Sequence, residues 1–281
     1  MASIDDTMDY GYDPTVAEPG PVFVPPRPAT PPLSNKTVNP LWLPPAGKQT
    51  TPSCFVWAST YGLATFAAAQ VGNYAPNVAS LQASPDYTYV KVLEEKSILS
   101  DNCVGGQITS CFQFLQTHNG TPSVQTAPVP DGCSDVWKDY GGTTYPSNSS
   151  FDVTGWKKIS IAGSEGLESV RVMIAQGVPL AYGTSLYTDF GHYDGTPSPY
   201  VGNGQIKINP KKKPVGHVMM IIGYDNDLGG GAVLLQNSFG TGWGMHWNPY
   251  YDGRGYVWMA YSTFQTLAQG HALYITSIAS G

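Results

Sequence analysis

Charge is scarce in this chain. Asp, Glu, Lys and Arg together make up 12% of its 281 residues, about half the usual quarter. Basic residues are the scarcer kind, 14 against 20 acidic ones, for a net charge of -6. That balance argues against nucleic-acid binding, because phosphate contacts need clustered Lys and Arg. The only basic run, Lys211-Lys212-Lys213, reads as a solvated loop. Long apolar runs are lacking too: no stretch approaches the ~18 residues of a membrane span. The opening "MASIDDTMDYGYDP" has neither the basic nor the apolar region of a secretory signal, which leaves the compartment open. Cysteines number four, Cys54, Cys103, Cys111 and Cys133, without a C-x-x-C pattern, and no cofactor or metal is expected.

What the chain has in quantity is Gly, 32 residues, and Pro, 24, the composition of many turns and long ordered loops. The Pro-rich stretch "PGPVFVPPRPATPPL" cannot form a helix or a central strand. It reads as extended chain in which Val22, Phe23 and Val24 offer something to bury. Residues 1–39 are therefore taken as a leader and 40–281 as the folded domain.

Within the domain the pattern changes once. "STYGLATFAAAQ", "SPDYTYVKVLEEK", "CVGGQITSCFQFLQTHNG" and "SVRVMIAQGVP" carry helical spacing, the last stopped at Gly177. After about residue 178 come strand-like runs: "PLAYGTSL", "GHVMMIIGYD", "GAVLLQNSF", "GYVWMAYSTF" and "HALYITSI". This predicts an α+β fold, with a helical part over about 50–150, a β part over about 151–278, and a cleft between them as the natural site.

Three residues carry the chemistry. Cys54 falls at the start of a helix, where the macrodipole favours a thiolate. His217 opens an otherwise apolar strand and could take the thiol proton. Asn237 ends the next strand, where its amide oxygen could accept from the imidazole and fix its tautomer. The other histidines, His118, His192, His246 and His271, fall in loops or at strand edges and receive no role.

"SCFVWAS", "CVGGQ", "GHVMMIIGYD" and "LLQNSFGTGWG", in that order, resemble the blocks of papain-like cysteine peptidases, family C1, and "SPDYTYV" resembles bacterial-type members. The resemblance covers roughly residues 40–278. It implies a two-lobed fold, with a helical lobe facing an antiparallel sheet or barrel, and a Cys54–His217–Asn237 triad that hydrolyses peptide bonds through an acyl-enzyme. Gln49 would share the oxyanion hole with the Cys54 N–H. Gly105 and Gly106 would pair with an extended substrate, and Val215 and Gly216 would border the pocket for the residue two places before the scissile bond. That pocket should prefer apolar side chains. Phe239 stands where the family shields the His–Asn pair with tryptophan, and Trp243 matches a second packing tryptophan.

The chain departs from the family in placing Gln49 one residue closer to Cys54. Thr51 replaces a cysteine, which leaves Cys103 to pair with Cys133 or Cys111, or to stay reduced. The Tyr193–Lys213 region reads as an inserted loop. A long helical propeptide is not expected, and residues from about 18 to 38 are expected to lie along the cleft and restrain activity in its place. The expected partner is a peptide or protein substrate, engaged by a monomer. The same machinery would also suit another acyl transfer, such as deamidation or cell-wall amide cleavage, or a scaffold that only binds.

Overall fold

The computed structural model describes residues 10–26, 33–98 and 103–279. The Pro-rich segment 27–32 lies outside them. Strands β1 (Val22–Phe23) and β2 (Asn35–Thr37) precede the helical part. There α1 (Cys54–Val56), a π-helical stretch Trp57–Ala64 and α2 (Thr65–Gly72) form one continuous rod. Cys54 through Leu63 are all buried, as the absence of charge in this run requires. The rod ends at Asn73, whose left-handed φ of 50° suits a helix C-terminus. Helices α3 (Pro85–Glu95), α4 (Ile108–Thr117) and α5 (Cys133–Tyr140) complete this half.

The second half opens with β3 (Val153–Ser160), a strand not expected from the sequence, and α6 (Gly163–Ala175), which starts earlier than expected. Then follow β4 (Leu180–Ser185), β5 (Gly216–Asp225), β6 (Ala232–Gln236), β7 (Tyr256–Ala260), α7 (Tyr261–Leu267) and β8 (Ala268–Ile278). The strands hydrogen-bond in the order β1-β3-β8-β4-β5-β6-β7, and β2 extends the β4 edge of β5. All pairs are antiparallel except β1 with β3. The architecture is α+β. Among the described residues the sheet is open, so the barrel alternative is replaced by an unclosed sheet.

Three local expectations change. "CVGGQ" is extended rather than helical, because α4 begins only at Ile108. "YSTF" leaves the sheet to begin α7. The leader is not a single cover: Val22 and Phe23 pair with Lys158 and Ile159, whereas Val24 is exposed. Cys103 pairs with Cys133, their Cα atoms 5.9 Å apart, and Cys111 is buried outside any disulfide.

Candidate functional site

His217 is the second residue of β5, and Asn237 follows the last residue of β6. In the β5–β6 register Met220 faces Gln236. Continuing that register sets Asn237 opposite Met219, on the same sheet face as His217. A diagonal pair of this kind is within reach of long side chains. His217 Nε2 and Asn237 Oδ1 are 2.7 Å apart. The same Oδ1 accepts the Ser238 N–H at 2.8 Å, which identifies it as the oxygen. His217 therefore donates from Nε2 and carries its lone pair on Nδ1. That atom is buried with no hydrogen-bond partner among the described residues. Burial lowers the imidazole pKa from 6.5 to about 4, against the opposing pull of the Asn237 bond.

Cys54 is the first residue of α1, buried and outside any disulfide. Gln49 is buried beside it, and its amide is oriented by Ser238: Ser238 Oγ donates to Gln49 Oε1 at 2.7 Å, turning Nε2 the other way. Two donors then converge on one carbonyl. Gln49 Nε2 reaches the Tyr10 oxygen at 3.2 Å while also donating to Thr51 O at 3.0 Å, and the Cys54 N–H reaches the Tyr10 oxygen at 3.3 Å. Ser238 was not singled out from the sequence. A hydroxyl beside Asn is too common a pair to signal the orientation of an amide nearly two hundred residues away.

That carbonyl belongs to the leader, and residues 10–14 are the part of it that enters the site. The stretch expected to lie along the cleft, 18–38, begins further downstream. The Tyr10 ring stands edge-on to His217, centroids 5.3 Å apart, and packs on Phe239 at 4.9 Å. Gly11 O accepts the Gly106 N–H at 2.9 Å, and Tyr12 bridges Gly216 in antiparallel fashion. The segment fits because both walls are glycine. A Cβ on Gly105 would lie 2.4 Å from the Gly11 carbonyl, and one on Gly216 would lie 2.1 Å from the Tyr12 oxygen. The Tyr12 ring covers Gly183 of β4, where a Cβ would lie 2.2 Å from the ring. Gly183 was another residue with no signal in the sequence, since glycine in a strand reads first as a weak point. Val215 is buried and lies next to Gly216.

Phe239 lies 4.8 Å from His217, ring to ring, and Trp243 packs edge-on behind it at 5.5 Å. Phe239 thus covers the histidine directly, and Trp243, held by its Nε1 on Phe190 O, backs Phe239. Further along, Glu18 anchors the leader. Its carboxylate accepts from Ile108 N, Thr109 N and Thr109 Oγ1 at 2.7, 3.1 and 2.7 Å, capping α4, whose own N-cap Gln107 supplies no side-chain bond. Lys158 Nζ donates to Glu18 O at 2.6 Å. No group of three or more His, Cys, Asp or Glu residues that could hold a metal occurs among the described residues.

Comparison with known proteins decides the family. Residues 60–270 match the sequence model of the papain family cysteine proteases. The chain belongs to that family. The matched interval contains His217 and Asn237 and begins after Cys54. Cysteine proteinase 3 of Entamoeba histolytica is 25% identical over 153 residues, a stretch spanning 52% of this chain and 42% of that protein. Two solved structures share the papain-like fold. Xylellain, a cysteine protease from Xylella fastidiosa, matches with a TM-score of 0.67 at 18% identity, over 96% of this chain and 97% of that one. Digestive procathepsin L 3 from the larval midgut of Tenebrio molitor matches with a TM-score of 0.66 at 16% identity, over 96% and 77%. No described helix of this papain-family chain is long and apolar enough to cross a membrane.

Proposed function

We propose that this papain-family chain is a cysteine endopeptidase held covered by its own leader. The observation that carries the reading is the Tyr10 carbonyl, which accepts both the Cys54 N–H and the Gln49 amide. A substrate carbonyl in that place would have two donors on its oxygen, one of them the backbone N–H of Cys54 itself, the geometry that stabilises an oxyanion.

In this reading His217 Nδ1 takes the Cys54 proton, and Asn237 holds the resulting imidazolium. The thiolate attacks the carbonyl carbon, and the oxygen takes the charge between Gln49 Nε2 and the Cys54 N–H. The C–N bond breaks as His217 returns its proton to the leaving amine, leaving a thioester on Cys54. His217 then removes a proton from water. The hydroxide attacks the thioester, the C–S bond breaks, and the acid leaves.

The leader is a poor substrate for its own site because of its direction. A substrate's second residue before the scissile bond would lie at Val215–Gly216, yet the residue at Gly216 is Tyr12, two places after the Tyr10 carbonyl. The leader therefore runs opposite to a substrate, and the atoms that follow its carbonyl are not those His217 would protonate.

Gly11 supplies the test. It has φ +98°, and a Cβ there would lie 1.8 Å from the Pro52 oxygen, so Gly11→Ala should expel the segment without touching the folded body. Under reducing conditions, a fluorogenic dipeptide with an apolar second residue should be turned over faster by Gly11→Ala than by the wild-type chain. Cys54→Ala should abolish turnover in either background. Equal turnover in Cys54→Ala would sink the assignment of the nucleophile.

A further inference from the structure

Beyond Tyr12 the leader enters a cavity of about 420 Å³ at the end of the cleft. One wall is the extended Val104–Gly106 stretch, and the opposite rim carries Lys211 and Lys213, with Lys96 contributed by the end of α3. Three of the chain's 14 basic residues thus line a single cavity. Among the described residues, the acidic member of its lining is the leader's Asp13, 3.5 Å from Lys213 Nζ. Its carboxyl is held below the usual range, first by the Thr15 hydroxyl and also by Lys213.

The rim is built rather than trailing. Asn209 N donates to Lys213 O and Lys213 N to Asn209 Oδ1, at 2.9 and 3.0 Å. Lys212 takes the left-handed φ of 58°, and Ile208 bridges Pro214 across the base of the turn. The lysine run is therefore the tip of a closed hairpin-like turn beside the cavity.

We propose that this basic rim is a specificity site that selects an acidic side chain in the residue preceding the one seated at Gly183 and Gly216, that is, third before the scissile bond. The proposal rests on the peptidase reading and deepens it: the leader's Tyr12-Asp13 pair copies the side chains that a preferred substrate presents, in reversed chain direction. Once the leader is out, three ammonium groups face the cavity with no leader carboxylate among them. Each pair is solvent-exposed and modest alone, so the preference comes from their convergence and weakens with salt.

The experiment uses the full-length Gly11→Ala chain and three substrates, acetyl-Asp-Tyr-Ala-, acetyl-Asn-Tyr-Ala- and acetyl-Lys-Tyr-Ala-aminomethylcoumarin. The expected kcat/KM for Asp over Asn is roughly tenfold, with Lys poorest. The Asp:Asn ratio should fall below one in a Lys211→Glu/Lys213→Glu variant of the same chain and approach one in 0.5 M NaCl. A ratio near one in the parent overturns the proposal while leaving the peptidase reading intact. If none of the substrates is cleaved, labelling rates of Cys54 by epoxysuccinyl compounds with Tyr-Asp or Tyr-Asn arms make the same comparison. A Cys54 inert to both arms overturns the subsite and the peptidase reading together. Should Gly11→Ala not yield folded protein, the pair is tested in place. Asp13→Lys and Lys213→Glu should each raise full-chain turnover a few-fold, and the charge-swapped double variant should lower it again. Failure of the swap to restore covering counts against the rim as a reader of acidic side chains.

Discussion

Gln49 presents its amide N–H₂ to the Tyr10 carbonyl because Ser238 occupies its other end, so two residues far apart in sequence set one donor. Removing a single oxyanion donor costs roughly 10²–10³ in kcat, and Gln49→Ala should lose that much in a leader-displaced background. Ser238→Ala leaves the donor present, held at Nε2 by Thr51 O but no longer at Oε1. It should lower kcat by about tenfold with little change in KM, as steady-state kinetics on the dipeptide would reveal. The triad candidates were legible in the sequence because Cys, His and Asn each sit where an element begins or ends. Ser238 and Gly183 were not, since their roles depend on which distant residue the fold brings against them. Two buried titratable groups act on stability with opposite sign. His217, with its pKa lowered to about 4 by burial, contributes stability present above pH 6.5 and lost as pH falls through 4. Asp86 is fully buried with both carboxylate oxygens unpartnered among the described residues, and burial raises its pKa from 3.8 to about 7. Its contribution is full below 3.8 and is lost as pH rises through 7. The two slopes overlap and offset each other. Asp86→Asn should therefore raise Tm by roughly 5 °C at pH 8, and should make the melting temperature fall between pH 6.5 and 4 more steeply than in the wild type. Calorimetry over that range checks both.

At the scale of elements, the leader has two different parts. Tyr10 to Pro14 covers the site and buries the Tyr10 and Tyr12 rings there, whereas Glu18 caps α4, β1 joins β3 and β2 joins β5. Between them Thr15–Ala17 is exposed. Deleting residues 1–16 should raise activity and lower Tm by a few degrees, because it removes the buried Tyr10 and Tyr12 rings. Deleting 1–38 removes both edge strands and the α4 cap, and should lower Tm by several degrees, since a helix cap alone is worth about 1 kcal/mol. Scanning calorimetry and peptide turnover on the two truncations separate covering from support. Composition identified the leader as extended chain. It could not divide the leader at Ala17, because what distinguishes the two parts is the partner each meets: the uncapped start of α4 for Glu18, the Gln49 amide and the Cys54 N–H for Tyr10. Strand β3 was missed for a related reason. "VTGWKKIS" carries two lysines, one of which, Lys158, is buried on Glu18 O, so its alternation is legible only with the leader in place.

Taken whole, the molecule is a helical half and, among the described residues, an open sheet half meeting where α1 and β5 begin. The change of periodicity near residue 178 pointed to the α+β division, although the sheet half opens earlier, at β3. The sheet's failure to close was not readable, since β1 and β2 come from the leader and add to the sheet rather than sealing it. The segment in the cleft is part of the same chain, so no dilution removes it. It competes with any peptide at an effective concentration set by its short tether, of millimolar order for a flexible link, whatever the amount of protein in the tube. If the covering proposal holds, a substrate at micromolar levels would compete against that local concentration, and doubling the enzyme would double the rate without changing the fraction open. Full-length specific activity should accordingly be flat across a hundredfold range of protein concentration. An upward curve would mean that one copy uncovers another by cutting it.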